Sequence, residues 1–378
     1  MKIAIIGAGY VGLVTAACLS EFGFDVTCVE RDGAKIDQLL AGIVPFYEPG
    51  LGKLVSGNIN AGRLSFTRNI KDAVPDASVV FIAVGTPTRR DSISADLTFV
   101  YDAAREIAGA MQGFTVITTK STVPVGTASE IRKVVSQAAP DKEFEVASNP
   151  EFLREGSAIE DFMEADRIVV GTSGERSREL MGQIYQPLAQ RGVEIVHTSC
   201  EDAELIKYAA NAYLAMRIAY INEIADLCEA TGGDVQMVAR GMGLDSRIGP
   251  KYLQPGPGFG GSCFPKDTRA LLSIARDYGS AMTIIEAVIQ SNDKRKETLV
   301  DRVVRAAGGD VSGKRVAILG VAFKEDTDDM RDSPALDLIP ALQKQGMDVC
   351  AYDPVAMENA ARLLPGVTWA DSPASCVI

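Results

Sequence analysis

Three glycines in a fixed frame constrain this chain more than any other feature. Gly7, Gly9 and Gly12 follow an apolar, β-branched run (residues 2–6) and precede a stretch of helical spacing (residues 13–21). Gly7 permits a tight turn, Gly9 lets backbone approach a pyrophosphate, and Gly12 lets helix and strand pack closely. The helix start adds free N–H groups and the positive end of its dipole. Gly23 stops the helix, a second strand runs over residues 25–29, and Glu30 ends it, eighteen residues beyond Gly12. A carboxylate there accepts from a ribose 2′-hydroxyl and repels a 2′-phosphate. The pattern points to a dinucleotide site that prefers NAD to NADP, although Arg31 softens that preference. A glycine-rich turn without a ligand is the alternative.

Strand-like runs at 78–84, 115–119, 145–147 and 167–170 alternate with helical stretches such as 98–111 and 128–138. That alternation predicts an α/β fold with a parallel sheet covered by helices on both faces. Residues 201–230 contain no Gly or Pro, and one helix over them is about 45 Å long, a spine between domains. More helical sequence is expected over 268–307, beyond a Gly/Pro-rich loop at 254–261. A third unit starts near Gly313, with a strand at 314–319, a helix at 333–345 and a strand at 347–352. Segments 24–30 and 346–353 read as the same element used twice. The second copy has Gly320-Val321-Ala322-Phe323, without the second and third fingerprint glycines, so it is expected to hold something other than a dinucleotide. The chain stops at 376–378, where a further strand is expected to begin. A two-strand unit buries little surface, so this third domain reads as incomplete. The expected division is an NAD-binding Rossmann-type domain (1–198), a central helical dimerisation region with a cysteine loop (199–308) and a partial C-terminal domain (309–378).

At 378 residues the length allows two or three domains. Lys and Arg total 38 against 50 Asp and Glu, a net charge of −12, which argues against a polyanion-binding surface and so against nucleic acid. No apolar run reaches a membrane span, and the first residues enter a strand rather than a signal peptide. Seven scattered cysteines without a Cys-x-x-Cys pair indicate a reducing, cytoplasmic setting. With His197 the only histidine, zinc and hydrolysis through a His base are disfavoured. Acid–base work falls mostly to Lys, Asp, Glu or Cys.

Thr86 and Thr122 each follow a strand-like run, where ligands of open α/β sheets lie; turn chemistry explains them equally well. Glu151 and Glu155 share a face if their segment is helical, either as paired carboxylates for proton transfer or as a solvated helix start. Lys207 and Asn211 share a face of the long helix. Lys207 is either a partly desolvated lysine that donates to an oxyanion or a snorkelling surface residue. The segment 258–267 carries most information. Cys263 sits among glycines, with Lys266 and Asp267 close by, unlike the cysteines of apolar faces. A thiol beside NAD suggests a specific route: an alcohol loses hydride to give an aldehyde, the thiolate adds, a second hydride leaves, and the thioester is hydrolysed.

These motifs, with Tyr47-Glu48-Pro49-Gly50-Leu51, Ser121-Thr122-Val123-Pro124, Asn149-Pro150-Glu151-Phe152-Leu153 and Gly260 to Asp267, resemble the nucleotide-sugar dehydrogenases, most closely the enzymes that oxidise UDP-glucose. The resemblance runs along nearly the whole chain. It implies oxidation of UDP-glucose to UDP-glucuronate with two NAD, with Cys263 as nucleophile. Lys207 and Asp267 match the residues for proton transfer and water activation, and Lys207, Asn211 and Thr122 would steady oxyanions. Glu155 matches the base of thioester hydrolysis. Glu151, with Phe152, Leu153, Arg154 and Glu155, lies with the sugar. Tyr252, Leu253, Gln254, Pro255, Gly256 and Gly260 match the loop around sugar and diphosphate. Arg247 matches an arginine that reaches a neighbouring subunit's site, and Lys324 a substrate contact. Cofactor contacts are implied for Gly7, Gly9, Tyr10, Val11, Gly12, Glu30, Lys35, Thr86, Thr122, Glu155, Lys266 and Arg331. The family's long central helix pairs two subunits, so a homodimer or higher homo-oligomer is expected, and its C-terminal domain holds UDP. The GDP-mannose enzymes share the motif around Cys263, but their preceding loop tends to read Pro-Gly-Phe-Ala-Phe-Gly-Gly. Here it reads Pro255-Gly256-Pro257-Gly258-Phe259-Gly260-Gly261. The N-acetylated UDP-sugar enzymes usually carry His or Pro where Ser262 stands. The alternatives are GDP-mannose oxidation, or a nucleotide-sugar binding protein inactive through its shortened C-terminal domain.

Overall fold

The computed structural model describes residues 1–89 and 94–377. The chain forms two compact units, Met1–Lys207 and Tyr208–Ile378. In chain order the first contains β1 (Lys2–Ile6), α1 (Tyr10–Glu21), β2 (Asp25–Val29), α2 (Gly33–Leu40), α3 (Leu51–Asn60), β3 (Leu64–Thr67), α4 (Ile70–Ala73), β4 (Val79–Ile82), α5 (Thr98–Ala110), β5 (Thr115–Thr119), α6 (Thr127–Ala138), β6 (Phe144–Ser148), α7 (Ala158–Met163), β7 (Arg167–Thr172), α8 (Glu175–Ala189) and β8 (Glu194–Thr198). Helix α9 (Cys200–Thr231) begins in this unit and continues into the next as one helix without a break.

The eight strands form one sheet in the order β3-β2-β1-β4-β5-β6-β7-β8. Alternate strand residues face opposite cores. Ile3, Ile5, Val26, Cys28, Val79 and Phe81 pack with α1, α7 and α8. Ala4, Ile6, Val29, Val80 and Ile82 pack with α5 and α6. Burial on both faces is why the central strands read as continuous apolar runs. Strand order reverses between β1 and β4, so the loops leaving these two strands meet at the switch point where such sheets bind ligands.

The expectation of a parallel sheet needs one correction: β6 and β7 pair antiparallel, Ala147 with Thr172 and Ser148 with Gly171. The chain between them does not cross the sheet, because α7 packs beside α1.

The second unit contains α10 (Val235–Gly243), α11 (Phe264–Asp277), α12 (Thr283–Ala306), β9 (Arg315–Leu319), α13 (Ala335–Lys344), β10 (Asp348–Tyr352), α14 (Met357–Leu363), β11 (Thr368–Trp369) and α15 (Pro373–Val377). Three parallel strands in the order β11-β10-β9 make its sheet, over a core that includes Val321, Ile339, Val349 and Ala360. Two further corrections apply here. The expected helical stretch 268–307 is two helices, separated at Gly279 with φ +68°, and the first begins early enough to include Lys266 and Asp267. The expected strand at the chain's end is helix α15, and the strand that pairs with β10 is the two-residue β11. Two residues are too short for a period-2 pattern to show.

Candidate active site

Steric fit in the fingerprint turn is tight where the motif requires it. Gly7 has φ +104°, and a Cβ there would stand 2.6 Å from Ala83 O, on the loop after β4. A Cβ on Gly12 would stand 1.9 Å from Gly7 O. At Gly9, by contrast, a Cβ would meet nothing within 4 Å, so open space lies over the N-terminus of α1. That is the cradle a pyrophosphate needs. Glu30 directly follows β2, and its Oε2 accepts from Ala8 N–H at 3.3 Å. Its Oε1 accepts from the N–H groups of Arg31 and Asp32. Thr86 donates to Thr122 O at 3.1 Å, which brings together two predicted residues. Val11 lies on the first turn of α1, and Tyr10 donates to Glu48. The Glu48 oxygens accept from Gly156 and Ala158 N–H at 2.7 and 2.8 Å, so the loop that carries Glu155 is tied to this turn. Lys35 lies exposed on α2.

The loop after β6 is not helical before Ala158, so Glu151 and Glu155 do not share a helix face. Glu151 instead meets Lys207: Nζ to Oε1 is 3.0 Å, with Lys207 only 2% and Glu151 6% exposed. The surface alternative for Lys207 is thereby overturned. Neither spacing nor periodicity could show it, because the partner is 56 residues away. Burial opposes ionisation of Glu151, but Lys207, the Leu153 N–H and Lys120 outweigh it and hold the carboxyl below its ordinary range. Phe152 lies under two cations, with Arg167 3.8 Å and Lys207 5.4 Å from its ring centroid. Arg154 is engaged by Asp161 through its backbone N–H and guanidinium.

In the second unit Cys263 caps α11 and is partly exposed. Its carbonyl accepts from Asp267 N–H at 2.8 Å, so the thiol stands at the positive end of a helix, where negative charge is favoured. Glycine is obligatory in the loop before it. A Cβ on Gly260 would stand 2.3 Å from Asp332 O, and one on Gly261, at φ +81°, would stand 2.6 Å from the Phe323 ring. Gly261 N–H also donates to Arg331 O at 2.8 Å. Asp267 is 1% exposed, accepting from Asn211 Nδ2 at 2.6 Å and from Lys266 Nζ at 2.6 Å. Three predicted residues are thus joined.

Tyr252 has φ +62°, and its ring packs at a tilt of 54° against Phe264. Leu253 is buried, Gln254 exposed and Pro255 partly exposed. The Gly256 peptide is gripped on both sides: its N–H donates to Asn222 Oδ1 at 2.8 Å, and its oxygen accepts from Arg295 Nε at 3.0 Å. Arg247 pairs with Asp245 and is otherwise exposed. Lys324 Nζ donates to Glu325 O, and the Arg331 guanidinium is bonded to Asp329.

Residues 1–189 match the UDP-glucose/GDP-mannose dehydrogenase family, NAD binding domain. Residues 201–294 match its central domain and 317–378 its UDP binding domain. The chain belongs to this family. A UDP-glucose 6-dehydrogenase of Rhizobium meliloti (strain 1021) is 54% identical over 375 residues, 99% of this chain and 86% of that protein. UDP-glucose 6-dehydrogenase TuaD of Bacillus subtilis (strain 168) is 48% identical over 96% of this chain and 78% of its own length. Among solved structures, a UDP-glucose dehydrogenase from the hyperthermophilic archaeon Pyrobaculum islandicum has a TM-score of 0.95 at 38% identity, covering 100% of this chain and 87% of that one. GDP-mannose dehydrogenase from Pseudomonas aeruginosa has a TM-score of 0.64 at 31% identity, covering 100% and 90%.

As a member of this family the chain is an NAD-dependent oxidoreductase with an N-terminal NAD-binding and a C-terminal UDP-binding domain. The open space at Gly9 and the acid at Glu30 fit that cofactor. Among the described residues no helix is long and apolar enough to cross a membrane.

Structural supports that the sequence did not disclose are Lys120, Asn149, Tyr185, Asn222 and Arg295. A polar residue at the end of a buried strand or on a long helix has no local signal of its partner.

Proposed function

We propose that this chain oxidises the C6 alcohol of UDP-glucose to the carboxylate of UDP-glucuronate, with two NAD reduced per sugar. Cys263 at the start of α11, within a glycine-dependent loop and beside the Lys266–Asp267–Asn211 cluster, is the observation that carries the reading. The relatives at 54% and 48% identity bear the name of that activity. The higher identity and TM-score of the UDP-glucose enzyme over the GDP-mannose enzyme favour UDP-glucose.

NAD supplies a hydride acceptor for each of the two oxidations. Gly7, Gly9, Tyr10, Val11, Gly12, Glu30, Lys35, Thr86, Lys266 and Arg331 hold it. Glu151 and Lys207 orient the sugar, with Phe152, Leu153 and Arg154 shaping their loop. Lys207 and Asp267 serve the transfer of the hydroxyl proton as the alcohol becomes an aldehyde. The Cys263 thiolate adds to the aldehyde carbon, and Lys207, Asn211 and Thr122 hold the oxyanion. Loss of the second hydride leaves a thioester. A water molecule activated by Asp267 or Glu155 adds to the acyl carbon, and the C–S bond breaks to free the carboxylate and the thiolate. Tyr252, Leu253, Gln254, Pro255, Gly256, Gly260 and Lys324 hold the sugar diphosphate.

A homodimer completes this reading. Tyr213, Tyr220 and Leu227 are 54%, 49% and 58% exposed at seven-residue spacing along α9, an apolar stripe suited to a second copy. Arg247 then reaches the neighbouring site. Cys18, Cys28, Cys200, Cys228, Cys350 and Cys376 are buried, and the reading includes a cytoplasmic setting, where thiols stay reduced.

The test is a substrate panel of UDP-glucose, GDP-mannose and UDP-GlcNAc followed by NADH absorbance. Two NADH per UDP-glucose without free aldehyde is expected. One NADH per sugar would reduce the reading to an ordinary alcohol dehydrogenase, and binding without turnover would leave a binding protein. Cys263→Ser should stop before uronate; wild-type yield of uronate in that variant would remove the thioester.

A further inference from the structure

Lys120 directly follows β5 and is only 3% exposed. Its Nζ donates to Asn149 Oδ1 at 3.0 Å and to the Tyr185 hydroxyl at 3.3 Å. It lies 5.8 and 5.7 Å from the ring centroids of Phe162 and Tyr185. Asn149 opens the loop that bears Glu151, and is itself anchored by its Nδ2 to Val169 O at 2.7 Å and by its N–H to Thr119 O at 2.8 Å. The groups that bear on Lys120 are Glu151 in this loop, Lys207 on α9, Tyr185 on α8 and the Cys18 thiol on α1. Two ammonium groups and one carboxylate are therefore buried together. An interior lysine in excess of its counter-ions costs stability that an apolar residue of the same length would not. Packing alone gives no reason for it, whereas a site that needs a fixed carboxylate does.

We propose that Lys120 is a positioning residue whose charge holds the 149–153 loop, and with it Glu151, in place against Lys207. The inference rests on the reading of Glu151 and Lys207 as sugar-binding groups. Burial pushes the Lys120 pKa down to about 7, against the pull of Glu151, so the charge is present at lower pH and lost as pH rises through neutrality. The unfolded value is 10.5. Between about 7 and 10 the unfolded chain binds the extra proton, so stability rises with pH across that window.

The experiment compares wild type with Lys120→Met, or with Lys120→Gln where Met perturbs the fold. Three outcomes are expected. The thermal midpoint at pH 6.5 is equal to or above wild type and loses its rise towards pH 9. Hydrogen exchange of the 149–153 loop, without substrate, is at least fivefold faster. The kcat/KM for UDP-glucose falls at least tenfold at pH 6.5 and this gap narrows by pH 9, with the KM for NAD unchanged. Wild-type exchange in the loop overturns the proposal, and so does a loss of activity that is the same at every pH, since packing alone would produce it. If wild type fails to oxidise UDP-glucose, the functional reading has failed, while loop exchange still decides the role of Lys120.

Discussion

Gly7 and Gly320 each follow a strand that pairs in parallel with its neighbour, at φ +104° and +87°. Each donates its N–H to the last carbonyl of the neighbouring strand, Val29 O and Tyr352 O, both at 2.9 Å. An acid then follows in each case. Glu30 accepts from Ala8 N–H at 3.3 Å, and Asp353 from Val321 N–H at 2.9 Å. Beyond that point the two turns part. Helix α1 starts at Tyr10, directly over the turn, whereas the chain after Gly320 runs through bends and turns until α13 starts at Ala335. Asp353 is also occupied within the fold, taking the N–H groups of Val321, Ala322, Val355 and Ala356. One strand-turn-strand scaffold thus serves two ends. With a helix start over it, the turn keeps open space at Gly9, which suits a pyrophosphate; without one, the acid takes four N–H groups as a structural latch.

Substitutions break the comparison at different depths. Gly12→Val should have the largest effect. Its Cβ would overlap Gly7 O, so unit 1 should lose roughly 4 kcal/mol or more, read as loss of its thermal transition together with NAD binding. Retention of both would mean that α1 can withdraw from the turn. Asp353→Ala comes next. It orphans four N–H donors and should cost the second unit about 2–3 kcal/mol while the NAD affinity of the first is unchanged. The same latch predicts acid sensitivity. Burial opposes the Asp353 charge, but the four N–H bonds hold its pKa below the ordinary range. Its contribution is therefore present above the unfolded carboxylate pKa and lost as pH falls through the folded one, and a flat acid limb in denaturant titrations would contradict it. Glu30→Gln is the smallest. It should leave the fold nearly unchanged, weaken NAD about tenfold (about 1.4 kcal/mol) and narrow the preference over NADP in binding titrations. An Asp353-like loss of stability in this variant would mean that Glu30 too is a latch.

The central strands and the helices that follow them were legible because burial on both faces of a parallel sheet leaves unbroken apolar runs. Edge strands were not. β3 is half exposed and β8 has no buried residue, so neither carries such a run. The site was legible where chemistry is local. Cys263 stood out by its glycines, and Gly260 and Gly261 prove to be required by contact with Asp332 and Phe323. It was illegible where the chemistry is a contact between distant residues. Glu151 read either as half of a carboxylate pair or as part of a solvated helix start, but its partner is Lys207, with Lys120 behind it.

By itself the sequence determined the alternation of strands and helices, the glycines that suit a fingerprint turn, the thiol among glycines, and a single histidine, which leaves lysine, carboxylate and thiol as the main acid–base groups on offer. These are properties of residue type and short-range spacing, fixed by sterics and hydrogen-bonding capacity. Only the tertiary structure decided which charges meet. Burial made Lys207 a partner of Glu151 rather than a surface residue, put a second lysine behind that pair, and set Asp353 on four backbone N–H groups where Glu30 takes three. Electrostatics in a buried site depends on distances between residues far apart in the chain, and no periodicity along the chain encodes those distances.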